Sequence, residues 1–243
     1  MTPQYRHAIV IGASSGIGEE IAKQLAAGGC KVAALGRRSN LLRSLADKSG
    51  GAILPFEHDV TDYGKIPLLF QEIAAALGGL DLVVYCAGYM PGVGPQEYEF
   101  EKDKEIFQIN VIGAMAWLDQ AAIRFDNVGA GTIIAIGSVA GDRGRAGQPA
   151  YNASKAALAT FAEALRNRLD SKGVRVVTVK PGPTATPMTE SLGLKNMMAA
   201  NEAAALILRK SAKAGEHYLK LSHRVAFFII RNIPSPLFRR LKI

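Results

Sequence analysis

The chain has 243 residues, a length that suits one α/β domain. Hydrophobic residues make up 49% of it, enough for a sizeable core, and the composition is that of neither a disordered nor a fibrous protein. No basic start followed by an apolar secretory segment is present, so we expect a cytoplasmic location.

The net charge of +8 comes from the end of the chain. Residues 1–208 hold 20 basic and 20 acidic side chains, whereas residues 209–243 hold nine basic side chains and only Glu216 as an acid. A basic tail supplies no base-reading surface, so a nucleic-acid partner is not expected. Cys30 and Cys86 lie in apolar contexts and are interpreted as two buried thiols rather than a disulfide.

Short runs rich in Val, Ile and Leu alternate along the chain with longer amphipathic stretches. Strands are predicted at residues 7–11, 31–35, 53–56, 80–85, 132–137 and 174–179, and helices at 16–27, 41–48, 66–77, 97–125 and 150–171. This alternation predicts a single-domain α/β fold, a doubly wound, Rossmann-type parallel sheet with helices on both faces. We assign residues 1–221 to that domain and residues 222–243 to a basic, apolar C-terminal extension of it.

A glycine-rich turn lies directly between the first predicted strand and the first predicted helix. Its predicted cofactor-binding residues are Gly12, Ser14, Ser15, Gly16, Ile17 and Gly18. Glycine permits a tight turn there and lets the backbone approach a pyrophosphate at the helix N-terminus. The alternative is that these glycines only pack the helix against the strand.

The same turn also satisfies G-x-S-x-G, the nucleophile elbow of hydrolases, with Ser14 as the nucleophile. An elbow serine normally follows several strands and an oxyanion loop. Only one predicted strand precedes Gly12, so the chain order disfavours a hydrolase.

The end of the second strand predicts the nucleotide. Enzymes that use NAD usually place an acid there for the ribose 2′-hydroxyl, but this chain has Arg37 and Arg38. Two guanidiniums suit the 2′-phosphate of NADP, although they could also simply begin the next helix on a solvated surface. Asp59, followed by Val60, is placed near the adenine or, equally well, caps the next segment.

Tyr151 and Lys155 stand four residues apart on one face of a predicted helix, and Ser138 ends the strand before it. An ammonium and a cationic nicotinamide would favour the phenolate and lower the pKa of Tyr151, while Ser138 could donate to a substrate oxygen. Alone, the pair is more typical of a partly buried helix tyrosine with a solvated lysine nearby. Their position downstream of a phosphate-binding turn favours the catalytic interpretation.

Together these motifs resemble the classical short-chain dehydrogenases and reductases over residues 6–190. The matching pieces are Gly12, Gly16 and Gly18, Asp59-Val60, Cys86-Ala87-Gly88, Asn110-Val111, Ser138, Tyr151, Lys155 and Pro181-Gly182. The resemblance implies that Tyr151 is the acid/base, that Lys155 lowers its pKa and holds ribose hydroxyls, and that Ser138 orients the carbonyl. It further implies that Asn110 holds a relay water.

For the cofactor, the resemblance implies contacts from Ala87, Gly88, Pro181, Thr184 and Thr186, and no metal ligand is predicted. The chain departs from the family pattern in two places. Cys86 replaces an asparagine. The family's usual ending, a seventh strand followed by a short C-terminal segment, is not recognisable, although residues 216–221 form a weak strand candidate. The resemblance also implies a homo-oligomer, whose form this ending leaves open.

The substrate pocket is predicted from residues 88–95, 139–148 and 186–200, with apolar side chains from Tyr89, Met90, Val93, Met188, Leu192, Leu194, Met197 and Met198. It would take an apolar carbonyl compound or secondary alcohol, and Arg143 or Arg145 could meet an anionic group. The predicted function is hydride transfer between NADP(H) and such a substrate. The alternative is an NADP-binding sensor without turnover.

In residues 222–243 apolar side chains cluster between arginines, and Pro234 and Pro236 interrupt the segment. One interpretation is peripheral membrane contact, with basic heads near anionic lipids and Phe227, Phe228 and Ile230 inserted. The other, which the sequence alone favours, is that the segment packs on the protein body or on a second subunit and covers the pocket.

Overall fold

The computed structural model of the protein describes residues 2–94, 96–190 and 193–241. Its strands are β1 (His7–Ile11), β2 (Lys31–Gly36), β3 (Ile53–Glu57), β4 (Leu82–Tyr85), β5 (Gly131–Ile136), β6 (Val174–Lys180), β7 (Thr184–Ala185), β8 (Met198–Ala199) and β9 (Gly215–Tyr218). A seven-stranded parallel sheet has the order β3-β2-β1-β4-β5-β6-β9, and β7 pairs with β8. The predicted doubly wound, single-domain fold is confirmed.

The helices alternate with the strands as right-handed crossovers require. They are α1 (Gly16–Ala27), α2 (Ser39–Asp47), α3 (Ile66–Leu77), α4 (Phe100–Phe107), α5 (Gly113–Val128), α6 (Pro149–Leu169), α7 (Ala200–Lys210), α8 (Leu221–Asn232) and α9 (Ser235–Phe238). A π-helical turn at Gln108–Ile112 joins α4 to α5. The helix predicted at residues 97–125 is therefore shifted by three residues and contains this turn, which a hydrophobic period of 3.6 does not reveal.

The core lies in two layers, one on each face of the sheet. On one face the sheet packs against α1, α2 and α7, with Ile21, Leu42 and Ile207 fully buried. On the other face it packs against α3, α5 and α6, around Trp117 and Phe125. Because both faces are covered, the central strands are almost continuously apolar.

The stretch Phe100–Val128 is long and apolar enough to cross a membrane by length and composition. Half of its most apolar window is buried, and it contributes Trp117 and Phe125 to the core. We therefore assign it to the core of the domain.

The seventh strand of the sheet is β9, which the sequence predicted only weakly and placed at residues 216–221. It begins at Gly215, ends at Tyr218 and pairs in parallel with β6. Its residues are exposed or half-buried, so it lacks the apolar run that identifies the central strands. After it the chain continues into α8 and α9.

The strand order reverses between β1 and β4, so the turns that follow these two strands diverge and leave a crevice at the carboxyl edge of the sheet. Gly12 follows β1 and Cys86 follows β4. The fold thus positions the glycine-rich turn beside this crevice.

Candidate active site

A single cleft at the switch point of the sheet brings together most of the predicted site residues. Those that line it are Gly12, Ser14, Ser15, Gly16, Ile17, Arg37, Arg38, Asp59, Val60, Ala87, Gly88, Ser138, Tyr151, Lys155, Pro181, Thr184 and Thr186. Gly18 and Asn110 lie outside the lining. Nucleotide-facing and catalytic residues, predicted from separate parts of the chain, therefore share one space.

The glycine-rich turn is shaped by close backbone approaches. Gly12 has φ +89°, and a Cβ there would lie 2.5 Å from the backbone nitrogen of Ala87. A Cβ on Gly18 would overlap the carbonyl oxygen of Gly12. Gly18 is thus required for packing α1 against the turn. The packing role that was the alternative for the whole motif therefore applies to Gly18, whereas Gly12 and Gly16 line the cleft itself.

Arg38 extends over the glycine-rich turn. Its Nη2 donates to Oγ of Ser14 at 2.8 Å and to Oγ of Ser15 at 2.6 Å, and its Nε donates to Oγ of Ser14 at 3.2 Å. The result is a cation surrounded by two hydroxyls at the end of the cleft below β2. Arg38 is fixed at the site rather than spread over a solvated helix start.

Arg37 and Asp59 lie at the same end of the cleft, with Arg37 Nη1 3.7 Å from a carboxylate oxygen of Asp59. The other oxygen of Asp59 accepts from the backbone N–H and the hydroxyl of Thr61 at 2.9 and 2.8 Å. Asp59 therefore both caps the segment that follows and lines the cleft, so the two interpretations of this residue are compatible.

Ser138, Tyr151 and Lys155 converge on the opposite wall. Tyr151 lies in the first turn of α6, and Lys155 follows one turn later on the same face. The 3₁₀ turn after Ser138 packs directly on this helix, because a Cβ on Gly141 would lie 2.7 Å from the carbonyl carbon of Lys155. The packing holds the turn after Ser138 against the first turns of α6, so Ser138 and Tyr151 belong to one wall of the cleft.

The titration behaviour of the wall is dominated by burial. Burial raises the pKa of Tyr151 above its usual 10, while the Ser138 hydroxyl and the positive charge of Arg145 act in the opposite direction. Burial also lowers the pKa of Lys155 to about 8. The loss of solvation outweighs the two lowering contributions, which come from Ser138 and Arg145; the lowering predicted from Lys155 is not among the causes.

The Lys155 ammonium is bound to the edge of the sheet. Its Nζ donates to the carbonyl of Ile136 at 3.0 Å and lies 5.7 Å from the centroid of the Tyr151 ring. A Cβ on Gly88 would lie 3.6 Å from the same Nζ, so the ammonium reaches the turn after β4. The amine therefore lies between the ring of Tyr151 and the turn after β4.

Asn110 lies behind the cleft, in the π-helical turn, with no exposed surface. Its Oδ1 accepts from the backbone N–H of Tyr89 at 2.7 Å, and its Nδ2 donates to the carbonyl of Tyr89 at 3.0 Å and to Oγ of Ser154 at 3.1 Å. Both amide hydrogens are engaged, so the side chain fixes the Tyr89 segment. A relay water would have to use other acceptors, such as the second lone pair of Oδ1.

Cys86 and the two residues after it form the floor of the crevice. The backbone N–H of Cys86 donates to the carbonyl of Ile11 at 2.8 Å, which continues the β1–β4 ladder past the strand end. Cys30 and Cys86 are both free thiols. Cys86 lines the cleft rather than the sheet interior, and burial raises its pKa to about 12, so the thiol stays protonated.

The loop after β6 is held by a buried ionic cluster. Lys180 Nζ lies 2.5 Å from Asp142 and 2.8 Å from Glu216, and Tyr218 donates to the second oxygen of Asp142 at 2.7 Å. The cluster joins β6, β9 and the turn that begins with Ser138. It therefore couples the position of Pro181, next in the chain, to the turn that carries Ser138.

The C-terminal extension reaches the same loop. A Cβ on Gly182 would overlap the imidazole of His223 in α8. Arg143 Nη1 donates to the carbonyl of Arg231 at 2.8 Å, and its guanidinium carbon lies 4.4 Å from the ring centroid of Phe238 in α9. Arg143, predicted as a site for an anionic group, instead anchors the extension to the body of the protein.

The predicted substrate pocket is partly corrected. Met188 lines the cleft, but Met198 is in β8 and packs in the core, and Val93 lines a separate shallow groove beside α4. Leu194 is half exposed on the surface, whereas Leu192 and Pro95 lie outside the described residues. Periodicity does not distinguish a pocket-lining methionine from a core methionine.

The cleft also contains residues that the sequence reasoning missed. They lie at strand ends or beside predicted positions: Gly36, His58, Ile109, Ile136 and Gly137. Pro187 and Thr189 also line the cleft and belong to the segment 186–200 that was predicted for the substrate pocket. Gly36 and Gly137 adjoin Arg37 and Ser138, so the rule that ligands bind at the carboxyl ends of strands could have identified them. Ile109 carries no such signal, because the π-helical turn that presents it has no sequence signature.

This arrangement defines a doubly wound α/β protein in which a phenol, a hydroxyl and an amine line the cleft at the switch point of the sheet. Comparison with known sequences identifies the family: the short chain dehydrogenase family matches residues 6–197. The chain belongs to the short-chain dehydrogenases and reductases and is an oxidoreductase of that family, whose members bind a nicotinamide cofactor.

Individual relatives agree with this assignment. A Myxococcus xanthus protein described as an oxidoreductase is 35% identical over 241 residues, covering 96% of this chain and 95% of that protein. A short-chain dehydrogenase of Streptomyces avermitilis has TM-score 0.84 at 26% identity, over 93% of this chain and 92% of that one. A Burkholderia cenocepacia short chain dehydrogenase, solved with NADP, has TM-score 0.86 at 23% identity over 100% of both chains, a likeness of fold.

Proposed function

We propose that the protein transfers hydride between NADP(H) and an apolar carbonyl compound or secondary alcohol, with Tyr151 as the acid/base. The observation that carries the proposal is the convergence of Ser138, Tyr151 and Lys155 on the wall opposite the glycine-rich turn. A fold with a dinucleotide cleft needs no such wall to bind a nucleotide.

The lining of the cleft supports a dinucleotide that would lie along the glycine-rich turn. The approach of Gly12 to the Ala87 backbone leaves no room for a Cβ on the turn, and a Cβ on Gly16 would lie 3.0 Å from Cγ2 of Thr186 across the cleft. Backbone N–H groups at the start of α1 favour a pyrophosphate there. The residues facing the remainder of the dinucleotide would be Asp59 and Val60 on one side and Pro181 and Thr184 on the other.

NADP is favoured over NAD because Arg38 and the hydroxyls of Ser14 and Ser15 form a cationic, hydrogen-bonding end to the cleft. A 2′-phosphate can accept from all three groups, and Arg37 adds a second positive charge nearby. The Burkholderia cenocepacia protein of similar fold was solved with NADP, and this motivates the choice of NADP here.

In the proposed reaction the nicotinamide, when bound, supplies the hydride for the carbonyl carbon. Tyr151 donates the phenol proton to the carbonyl oxygen, and Ser138, on the same wall of the cleft, donates a hydrogen bond to that oxygen. The raised pKa keeps the phenol protonated for reduction at neutral pH. Lys155, close to the turn after β4, would hold ribose hydroxyls and add positive charge when the phenolate forms.

The apolar lining from Ile109, Ile136 and Met188 favours a hydrophobic substrate. The alternative is a catalytically silent sensor that binds NADP on the same fold. A sensor needs no phenol beside a serine hydroxyl and an amine, so the geometry favours the enzyme.

The test is a panel of hydrophobic aldehydes and ketones followed at the NADPH absorbance. Tyr151→Phe should lower turnover by about 10²-fold or more while retaining NADPH affinity, because only the proton donor is removed. Tyr98→Phe, at a tyrosine that is 94% exposed, is the matched control and should keep full turnover. Absence of turnover across the panel, with tight NADPH binding, would favour the sensor.

A further inference from the structure

The C-terminal extension exposes an apolar face that nothing in the described part of the chain covers. Six large apolar side chains on α8 and α9 and just beyond them are between 44% and 74% exposed: Leu221, Val225, Phe228, Ile229, Leu237 and Leu241. In α8 they follow the spacing i, i+4, i+7 and i+8, which places them on one side of the helix. A helix that packs only on its own protein would present polar residues on that side.

The opposite side of α8 makes the contact with the protein body. His223, Phe227 and Ile230 are half-buried there, and Arg143 donates to the carbonyl of Arg231. Phe238 of α9 packs under the guanidinium of Arg143. The extension is therefore held in place by one face, and its outer apolar face is available to a partner.

The charge of the extension specifies the kind of partner. Between residues 220 and 241 there are five basic side chains and no Asp or Glu: Lys220, Arg224, Arg231, Arg239 and Arg240. Apolar side chains bordered by cations match an interface that is apolar inside and anionic at its surface. The surface of an anionic lipid bilayer has both properties.

We propose that the outer face of α8 and α9 binds the surface of a membrane that contains anionic lipids, with Phe228 and Ile229 inserted and the arginines at the headgroups. A second copy of the chain fits less well, since an isologous contact through this face would bring like charges together. A polyanion without an apolar phase would neutralise the cations but leave the apolar side chains in water. The proposal does not depend on the reaction catalysed.

The experiment is co-sedimentation of the full chain with vesicles of phosphatidylcholine alone and with added phosphatidylglycerol. We expect binding to the anionic vesicles, weakened by salt as surface electrostatics are screened. Phe228→Ser should reduce binding by roughly tenfold or more, because an inserted aromatic ring is lost. Arg239→Gln should reduce it by roughly fivefold, the effect of one cation near an anionic surface.

Leu68→Ser is the matched control, because Leu68 is an exposed apolar residue of α3, 74% exposed against 70% for Phe228. It should leave vesicle binding unchanged. Circular dichroism and NADPH affinity should match wild type for both serine variants, since both side chains point into solvent.

Three results would overturn the proposal. They are failure of wild type to sediment with anionic vesicles, equal losses in Phe228→Ser and Leu68→Ser, or a solution mass that falls to that of one chain only in Phe228→Ser without any vesicle binding. The last would assign the face to a second copy. If Phe228→Ser misfolds, Val225→Ser and the salt dependence of wild type test the same face.

Discussion

Lys180 and Asp142 form an ion pair at 2.5 Å in which 5% of the lysine side chain and none of the aspartate side chain is exposed. The pair connects β6 to the turn that begins with Ser138, and Tyr218 and Glu216 complete its hydrogen bonds. Two segments that border the cleft are therefore joined by a pair of charges that is almost fully shielded from water.

Asp142→Ala should lower the free energy of unfolding by about 3–5 kcal/mol, because it leaves the Lys180 ammonium buried without its main partner. Urea or thermal denaturation measures the change. Glu19→Ala, at an exposed ion pair with Lys23 of 2.6 Å, is the comparison and should cost about 0–1 kcal/mol. Similar losses of unfolding free energy in the two variants would show that the buried ion pair stabilises the protein no more than the exposed one.

Gly12→Ala should be far more damaging than Gly29→Ala, although both glycines have a positive φ, +89° and +84°. At Gly29 no atom lies within 4 Å of the added Cβ, so only backbone strain of about 1–2 kcal/mol is expected. At Gly12 the Cβ would lie 2.5 Å from the Ala87 nitrogen, so the turn must open. Denaturation gives both values, and equal costs would contradict the close approach at Gly12.

Arg38→Ala should weaken NADPH binding by about 10- to 100-fold, since a hydrogen-bonded charge is lost, and change NADH binding little. Fluorescence titration of both cofactors measures the ratio. Arg43→Ala removes an exposed arginine of α2 as a control for charge alone and should alter neither affinity. Equal losses of NADPH and NADH in Arg38→Ala would remove the argument for the 2′-phosphate.

The pH profile of alcohol oxidation should depend on Arg145, whose positive charge lowers the pKa of Tyr151. Oxidation requires the phenolate, so its rate rises with pH through that pKa. In Arg145→Gln the phenolate loses a favourable charge, and the rise should move to higher pH by a few tenths to about one unit. Arg145→Lys keeps the charge and should hold the wild-type profile; a profile unmoved in Arg145→Gln would exclude this electrostatic contact.

Lys155 makes stability depend on pH because burial lowers its folded-state pKa to about 8, against 10.5 for the unfolded chain. Between these values the unfolded chain binds more protons, so the contribution of this residue improves as pH rises from 8 toward 10.5 and is lowest below 8. The unfolding free energy of wild type minus that of Lys155→Met should rise by about 3 kcal/mol across this window. Parallel curves for the two proteins would place the Lys155 pKa near its ordinary value.

The sequence predicted the sheet and the nucleotide cleft because both depend on local signals at strand ends. An apolar run followed by Gly12, or by Ser138, fixes where a residue lies at the edge of a parallel sheet. The same logic failed for β9, an edge strand with no continuous apolar run. Its place in the sheet is fixed instead by pairing with β6.

Residues with long-range partners were the hardest to interpret. The two amide hydrogens of Asn110 are bound by residues far away in the chain, and Arg143 is bound by the C-terminal extension. The local sequence around each residue therefore did not indicate these contacts. Met198 resembles the methionines around it but pairs with Thr184 and packs in the core. Such assignments depend on tertiary neighbours, which a single sequence does not encode locally.

Gly182 lies so close to the imidazole of His223 in α8 that a side chain at this position of the loop after β6 would displace that ring. A chimera that received this loop from a relative with a larger residue at that position would have to move His223 and so lose its contact with the loop. Conversely, a shortened chain without the helix would expose a loop shaped to receive it. Domain-grafting between members of the family would therefore have to transfer the two segments as a unit.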